Sequence, residues 1–402
     1  MLRRWPLFLA SIVPVGLLAY QIPWVQLRVD WQLQIANTFI RSRLNPVGEL
    51  PQPQIVIEGS DVEAAASPTR VQGTATPEIT LTAIPAYFFL PTPQHEFQGP
   101  NNCGPATLAL YLRFWGWEGD QDDISDLVKP VTADRNVNID ELDFYLRTYA
   151  GWLNTVYRVG GTAERIKQLV ASGIPVLVEK GHAIEIDYFF QDDYWNGHYA
   201  LVTGYDDAAG EFVYQDTYTG PDERISYHEF DEFWQQFNRV YTLVYPPERE
   251  ETVRSILGAD WDEGTNRQNA MATAQGEIAS DSENAFAWFN LGMNQVYFEN
   301  YGAAATSFDR ARTIGLPMRM LRYQFGPFFA YYNTNRMEDM QALLDYSLFV
   351  TPESEELLIW QGWVLHREGN VNGAIEQFRL AHEANPNSFY VDAALAAVGA
   401  TP

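Results

Sequence analysis

Four stretches in the middle of the chain place apolar residues three and four positions apart, and that spacing predicts helices over 104–116, 121–128, 138–150 and 162–172. The pattern then changes. Ile174-Pro175-Val176-Leu177-Val178 is a short unbroken apolar run. Segments 198–205 and 212–215 read as strands on either side of a turn at Asp206-Asp207-Ala208-Ala209-Gly210, and 240–245 closes the unit as a further strand. Helices first and antiparallel strands after is an α+β order, with the helices segregated from the sheet.

Further on, the pattern repeats. Trp288, Leu291, Gly292, Tyr301, Ala304, Phe308 and Ala311, ending near Pro317, are echoed by Gln361-Gly362, Ala374, Phe378, Ala381 and Pro386. The echo lies about two periods of 34 residues away, the length of a tetratricopeptide repeat, which predicts an all-α solenoid of three helical hairpins with a capping helix over 389–398. The middle copy, 321–354, keeps the length and the closing Thr351-Pro352 but not the signature. Such arrays resemble peptide- or protein-docking surfaces, so a protein partner is the expectation for this part of the chain.

The beginning of the chain reads differently from both. After Met1-Leu2-Arg3-Arg4 comes a nearly uncharged apolar run, 5–22, long enough for a short membrane span or a signal-peptide core. No small-x-small cleavage site is evident, and Trp5, Tyr20 and Trp24 suit interfacial aromatic positions, so an uncleaved transmembrane anchor is the preferred reading. Arg3 and Arg4 place the N-terminus inside and the bulk of the chain on the extracytoplasmic side; a cleaved segment would instead release a secreted protein. Segment 23–45 is amphipathic, and 45–84 turns to Pro, Thr, Ala, Glu and Ser, as in a stalk. The expected organisation is thus an anchor at 1–22, a stalk and linker at 23–84, an α+β domain at 85–247, a connector helix at 248–284 and repeats at 285–402.

Composition narrows the function. A net charge of −26 leaves no basic footprint for a phosphate backbone, which argues against nucleic acid as a partner. The six histidines are scattered and there is a single cysteine, so no metal constellation, internal disulfide or cofactor is expected. No glycine-rich phosphate loop precedes a helix.

That single cysteine, Cys103, lies where a loop rich in Gly, Pro and Asn (Gln98-Gly99-Pro100-Asn101-Asn102) breaks into an apolar helical run. A thiol at a helix N-terminus is acidified by the partial positive charge of the unpaired amides, and Pro105 suits the first turn. If Tyr205 pairs with Glu211 across the turn, Asp216 lies opposite Ala200, and His198, two residues away on the same face, lies diagonal to Asp216. That diagonal is roughly 7–8 Å between backbones, within reach of a His–carboxylate hydrogen bond, whereas a one-residue slip would send the two to opposite faces. Nucleophile, base and orienting acid then converge as Cys103, His198 and Asp216, the logic of covalent catalysis. Gln98 is placed to offer its side-chain amide to a developing oxyanion. His182 is the rival base, and His95 and His228 read as surface or packing residues. The acidic, aromatic insertion 185–196 reads as a surface loop near the cleft.

The blocks Gln98…Asn102-Cys103-Gly104-Pro105-Ala106, Gly173-Ile174-Pro175-Val176-Leu177-Val178, Gly197-His198-Tyr199-Ala200-Leu201-Val202-Thr203-Gly204-Tyr205-Asp206 and Val213-Tyr214-Gln215-Asp216 resemble the papain-like cysteine peptidases of the bacteriocin-processing, double-glycine type. The resemblance spans 85–247. It implies a papain-like fold with Cys103 as nucleophile, His198 as base, Asp216 as orienting acid, Gln98 as oxyanion residue, and a peptide or protein substrate. Thr217 departs from the proline common at that position. The competing class is a non-catalytic interaction scaffold in which both domains serve as binding surfaces.

Overall fold

A computed structural model describes residues 48–54, 84–131, 137–183 and 195–402, with scattered positions between 20 and 44. Most of the expected anchor, of the expected stalk and of the 185–196 insertion lies outside the described residues. Among the described residues no helix is long and apolar enough to cross a membrane.

The first folded unit is a sheet with helices on both faces. Its elements run β1 (Tyr87–Phe89), α1 (Cys103–Phe114), α2 (Gln121–Val128), α3 (Ile139–Tyr149), β2 (Asn154–Arg158), α4 (Ala163–Ala171), β3 (Val176–Ala183), β4 (Trp195–Asp206), β5 (Glu211–Asp216), β6 (Gly220–Ser226), α5 (Tyr227–Gln235) and β7 (Tyr241–Tyr245). The strands pair antiparallel in the order β2-β7-β3-β4-β5-β6, with β1 on β4. The expected α+β class holds. The strict helices-then-strands order does not, since β1 and β2 precede α4 and α5 interrupts the last strands.

Alternation along β3 and β4 explains the two layers. Leu177, Tyr199 and Leu201 face α1 and α3, in one core with Leu108, Leu112, Leu142 and Leu146, whereas Val176, Val178, Ala200 and Val202 face α4 and α5, in another with Ile166, Leu169, Phe230 and Trp234. Helix α1 is apolar all round, and Gly104 to Leu112 are buried without a break, as expected of a helix enclosed on every side.

The β4–β5 register corrects one expectation and preserves its consequence. At the turn Asp206, not Tyr205, pairs with Glu211, because four residues close the hairpin: Gly210 N–H donates to Asp206 O (2.8 Å) and Asp206 Oδ1 accepts from Ala208 N–H (3.0 Å). The register shifts between Val202 and Gly204, leaving Thr203 as the extra residue, so Val202 pairs with Tyr214 and Leu201 with Gln215. The bulge thereby restores the pairing that sets His198 and Asp216 on one face. Its polar groups find partners: Thr203 O accepts from Leu90 N–H (2.8 Å), and the Thr203 hydroxyl accepts from Gln215 Nε2 (2.9 Å).

Beyond β7 the chain is helical: α6 (Glu250–Leu257), α7 (Glu263–Ser280), α8 (Ala285–Tyr297), α9 (Tyr301–Ile314), α10 (Gly326–Asn333), α11 (Met337–Val350), α12 (Glu355–Arg367), α13 (Val371–Ala384) and α14 (Phe389–Ala397). From α8 onward this is an array of tetratricopeptide-like hairpins. The repeated Gly–Phe pair has a steric cause: a Cβ on Gly292 would meet the Phe308 ring at 2.6 Å and one on Gly362 the Phe378 ring at 2.3 Å. The middle hairpin lacks the signature because its first helix is short, preceded by a 3-10 turn at Met320–Arg322.

Two seams bind the array to the rest. Against the sheet domain, Asn290 Nδ2 donates to Gln235 O (2.7 Å), Gln324 Nε2 to Gln236 O (2.8 Å) and Asn385 Nδ2 to Val128 O (3.0 Å), while Trp195 stacks on Phe237 (5.7 Å between ring centres) and meets Tyr323 edge-on. The second seam lies within the stretch expected to be a stalk. There Leu50 is buried in the repeats' core, Arg312 donates to Pro51 O, and Gln54 N–H donates to Asp339 Oδ1 (3.1 Å). Arg312, 1% exposed, belongs to a buried cluster with Tyr331, Asp309, Arg336 and Asp339. Two guanidiniums and two carboxylates balance there, and the Pro51 carbonyl supplies the acceptor that Arg312 would otherwise lack on that side.

Candidate active site

The loop before α1 is fixed before any chemistry is considered. Gln121, at the start of α2, accepts from Gly99 N–H (2.7 Å) and Asn102 Nδ2 (2.8 Å) and donates to Phe97 O (2.9 Å) and Glu96 (3.1 Å). Lys129 Nζ donates to Asn101 O (2.7 Å), holding Asn101 in the left-handed conformation (φ 55°) that asparagine tolerates. Helix α1 then begins at Cys103 itself, its N-cap Asn102 making no side-chain cap, so the first-turn amides around the sulfur are not taken by that side chain. Cys103 is partly exposed.

Past Leu201 the edge of β4 leaves β5 and is taken over by α1. Thr107 hydroxyl donates to Tyr199 O (3.3 Å), and the Tyr199 amide hydrogen-bonds the Cys103 sulfur. This brings the thiol beside His198. The imidazole engages Asp216 Oδ2 through Nε2 (2.9 Å) and lies close enough to Cys103 for each to shift the other's pKa. His198 is 3% and Asp216 1% exposed. The carboxylate's other oxygen accepts from Tyr218 N–H (2.7 Å) and Thr219 N–H (3.0 Å).

These contacts set the charges. Burial pushes the Cys103 thiol up, and the hydrogen bond and charge of His198, the Tyr199 amide and Lys129 together bring it below the usual thiol range. Burial opposes a charged His198, yet Asp216 and Cys103 raise it to about 9. Asp216 would be raised by burial, but the His198 charge and three hydrogen bonds hold it well below the usual carboxylate range. The arrangement shifts both groups toward a thiolate beside an imidazolium.

His198 and Asp216 are hydrogen-bonded with Cys103 beside them, and Gln98 joins at the residue after the acid. Gln98 reaches the site through Thr217: its N–H donates to Thr217 O (2.8 Å), and the Thr217 hydroxyl donates to Gln98 Oε1 (2.9 Å). A proline at 217 has no such hydroxyl. His182, the rival base, lies 5.2 Å from His198 between ring centres, and burial followed by the charges of His198 and Lys180 pushes it down to about 3, so it is neutral. His228 is on the surface beside Glu232, as expected.

Sequence alone does not single out the remaining residues at the site. His95 Nε2–H donates to Asp216 O (2.9 Å), bracing the acid's backbone. Lys180, 2% exposed, sits between the Tyr214 and Phe233 rings (5.8 and 5.7 Å); burial lowers its pKa against the opposing pull of Asp216 and Glu229. Glu179, on the other face of β3, is buried, and burial and then the Cys103 charge raise its carboxyl well above the usual range. Only the alternation of β3 hints at the last two, since nothing in sequence tells which face meets the thiol.

The profile described as the Peptidase_C39 like family matches residues 89–242. Among solved structures the chain is similar to a C39-like peptidase from Bacillus anthracis, at 17% identity over 40% of this chain and 96% of that one, with a TM-score of 0.33. It is also similar to YrrB, a TPR protein with an unusual peptide-binding site, at 17% identity over 37% of this chain and 81% of that one, with a TM-score of 0.28. No curated protein matches the chain. Most of the sheet, its helices and the cluster of Cys103, His198 and Asp216 thus lie in the segment, 89–242, that the Peptidase_C39 like family model matches.

Proposed function

We propose that the chain is a cysteine peptidase acting on peptide or protein substrates through Cys103, His198 and Asp216. The observation that carries this reading is a buried imidazole hydrogen-bonded to a buried carboxylate and lying beside a helix-terminal thiol; the match to the Peptidase_C39 like family model supports it. The Cys103 thiolate attacks the scissile carbonyl carbon, and the oxygen's developing charge is met by the α1 amides and the Gln98 Nε2–H. The C–N bond breaks as the His198 imidazolium gives its proton to the leaving amine, and a thioester remains on Cys103. His198, now neutral, takes a proton from water, whose oxygen attacks the thioester; the carboxylic acid leaves and the thiolate–imidazolium pair returns. Asp216 holds the ring and stabilises its cation throughout.

A peptide-library cleavage assay comparing the chain with Cys103→Ala tests the proposal. Cleavage by the native chain and none by the variant is expected; equal turnover, or none by either, rejects it in favour of a binding scaffold. Electrophile labelling gives a second readout, with fast alkylation of Cys103 at pH 7 slowed at least tenfold by His198→Ala. In the same reading the apolar run 5–22 anchors the chain on the extracytoplasmic side of a membrane. Flotation of the full chain with lipid vesicles, lost on removing residues 1–22, is the expected result, and a full chain that stays unbound ends that part.

A further inference from the structure

Between the sheet domain and the repeats lies a cavity of about 550 Å³, within the range of ligand pockets. Its walls come from both sides: Asn138 to Glu141 at the start of α3, Tyr157 of β2 and Glu179 of β3 face the first helices of the repeat hairpins, α8, α10 and α12, together with α14. Two observations give the space a chemistry. Its repeat side is aromatic, with Phe329, Trp360, Trp363 and Tyr390, and Tyr157 answers from the other side. Of the titratable residues lining it, Asp140, Glu141, Glu355 and Glu356 carry carboxylates and Glu179 a carboxyl that burial shifts toward its neutral form, against one guanidinium, Arg267, which itself faces Glu263 (3.9 Å).

The cavity also ends near the thiol. Asn138 follows Val137, whose side chain packs against Gly104, the residue after Cys103. Glu179 lines the cavity while lying close enough to Cys103 to feel its charge. Aromatic faces attract cations, long cationic side chains bury their methylenes along apolar walls, and carboxylates complete the recognition of the charged head. We propose that this cavity binds a lysine or arginine side chain of an extended peptide and presents the neighbouring backbone to Cys103. The peptide's role as substrate rests on the peptidase reading above; its binding does not.

The test separates the two. The full chain as Cys103→Ala is titrated calorimetrically with blocked peptides identical except for one central residue: lysine, norleucine or glutamate. Norleucine matches the lysine stem without its charge. At least tenfold tighter binding of the lysine peptide than of the norleucine peptide, with no binding of the glutamate peptide, is expected. The added changes Glu356→Gln and Asp140→Asn should each weaken the lysine peptide at least threefold more than the norleucine peptide. Equal binding of lysine and norleucine peptides, or binding of neither, overturns the proposal. The ligand series decides this by itself, even where an added variant fails to fold. Lysine-peptide binding to Cys103→Ala with no cleavage by the native chain would keep the pocket and reject the peptidase, whereas cleavage indifferent to charge would keep the peptidase and reject the pocket.

Discussion

Asp216 divides its labour between two oxygens: Oδ1 is satisfied by the turn that follows it, and Oδ2 by His198. Asp216→Asn keeps the shape but removes the charge that raises the imidazole and risks the wrong tautomer. Peptide turnover should fall roughly 10²-fold or more, with the alkaline limb of its pH profile moving to lower pH. In the native chain that limb should lie near pH 9, where His198 loses the proton it must give to the leaving amine. The same raised value makes the pair's contribution to stability complete below the usual histidine pKa of 6.5 and lost as pH rises through about 9; the depressed Asp216 contribution is present above the usual 3.8 and lost as pH falls through its lower value. Thr217 supplies a separate test. Thr217→Val removes the hydroxyl that orients Gln98 and leaves the triad alone, so kcat should drop about tenfold while the rate of Cys103 alkylation stays unchanged. At this scale the arrangement was legible where residue type alone is informative: a lone cysteine at a loop-to-helix break, and a histidine and an aspartate on pairing strands. Gln121, His95 and Lys180 were not, because each acts on residues distant in sequence and has ordinary structural uses everywhere else.

At the scale of elements, hydrophobic period sufficed for the buried helices and central strands, and α2 falls where its spacing put it. It failed at the margins. β6, Gly220-Pro221-Asp222-Glu223-Arg224-Ile225-Ser226, is an edge strand with mostly exposed residues and no alternation to read. Helix α5 did leave a signal: Ser226 caps Glu229 N–H, and Phe230, Phe233, Trp234 and Phe237 recur at helical spacing. The bulge at Thr203 is invisible beforehand, since it answers a turn one residue shorter than expected. In the repeats the period itself is structural, which a substitution can check. Gly362→Ala drives a methyl into the buried Phe378 ring and should cost about 1–3 kcal/mol, measured by denaturant unfolding of the full chain, whereas Gly276→Ala, where the same methyl meets nothing, should not destabilise.

At the scale of the whole molecule, the repeats are packed onto the sheet domain rather than strung after it. Trp195, Phe237 and Tyr323 form an aromatic joint, and hydrogen bonds from Asn290, Gln324 and Asn385 cross at well-separated points. Thermal unfolding should therefore show one transition reported alike by sheet and helix signals; two resolved transitions would contradict a shared core. Sequence could announce both domains but not this docking, because the residues that make it, such as Asn138 against Glu356 (2.6 Å), carry no pattern of their own.

Leu50, Pro51 and Gln54 have a mechanical consequence. Because they are seated on Arg312 and Asp339, tension applied to the start of the chain is delivered first to the repeat helices, and the strands carrying His198 and Asp216 are shielded until that seating gives way. A nick anywhere between 55 and 83 would then leave the leading piece riding on the molecule instead of setting it adrift.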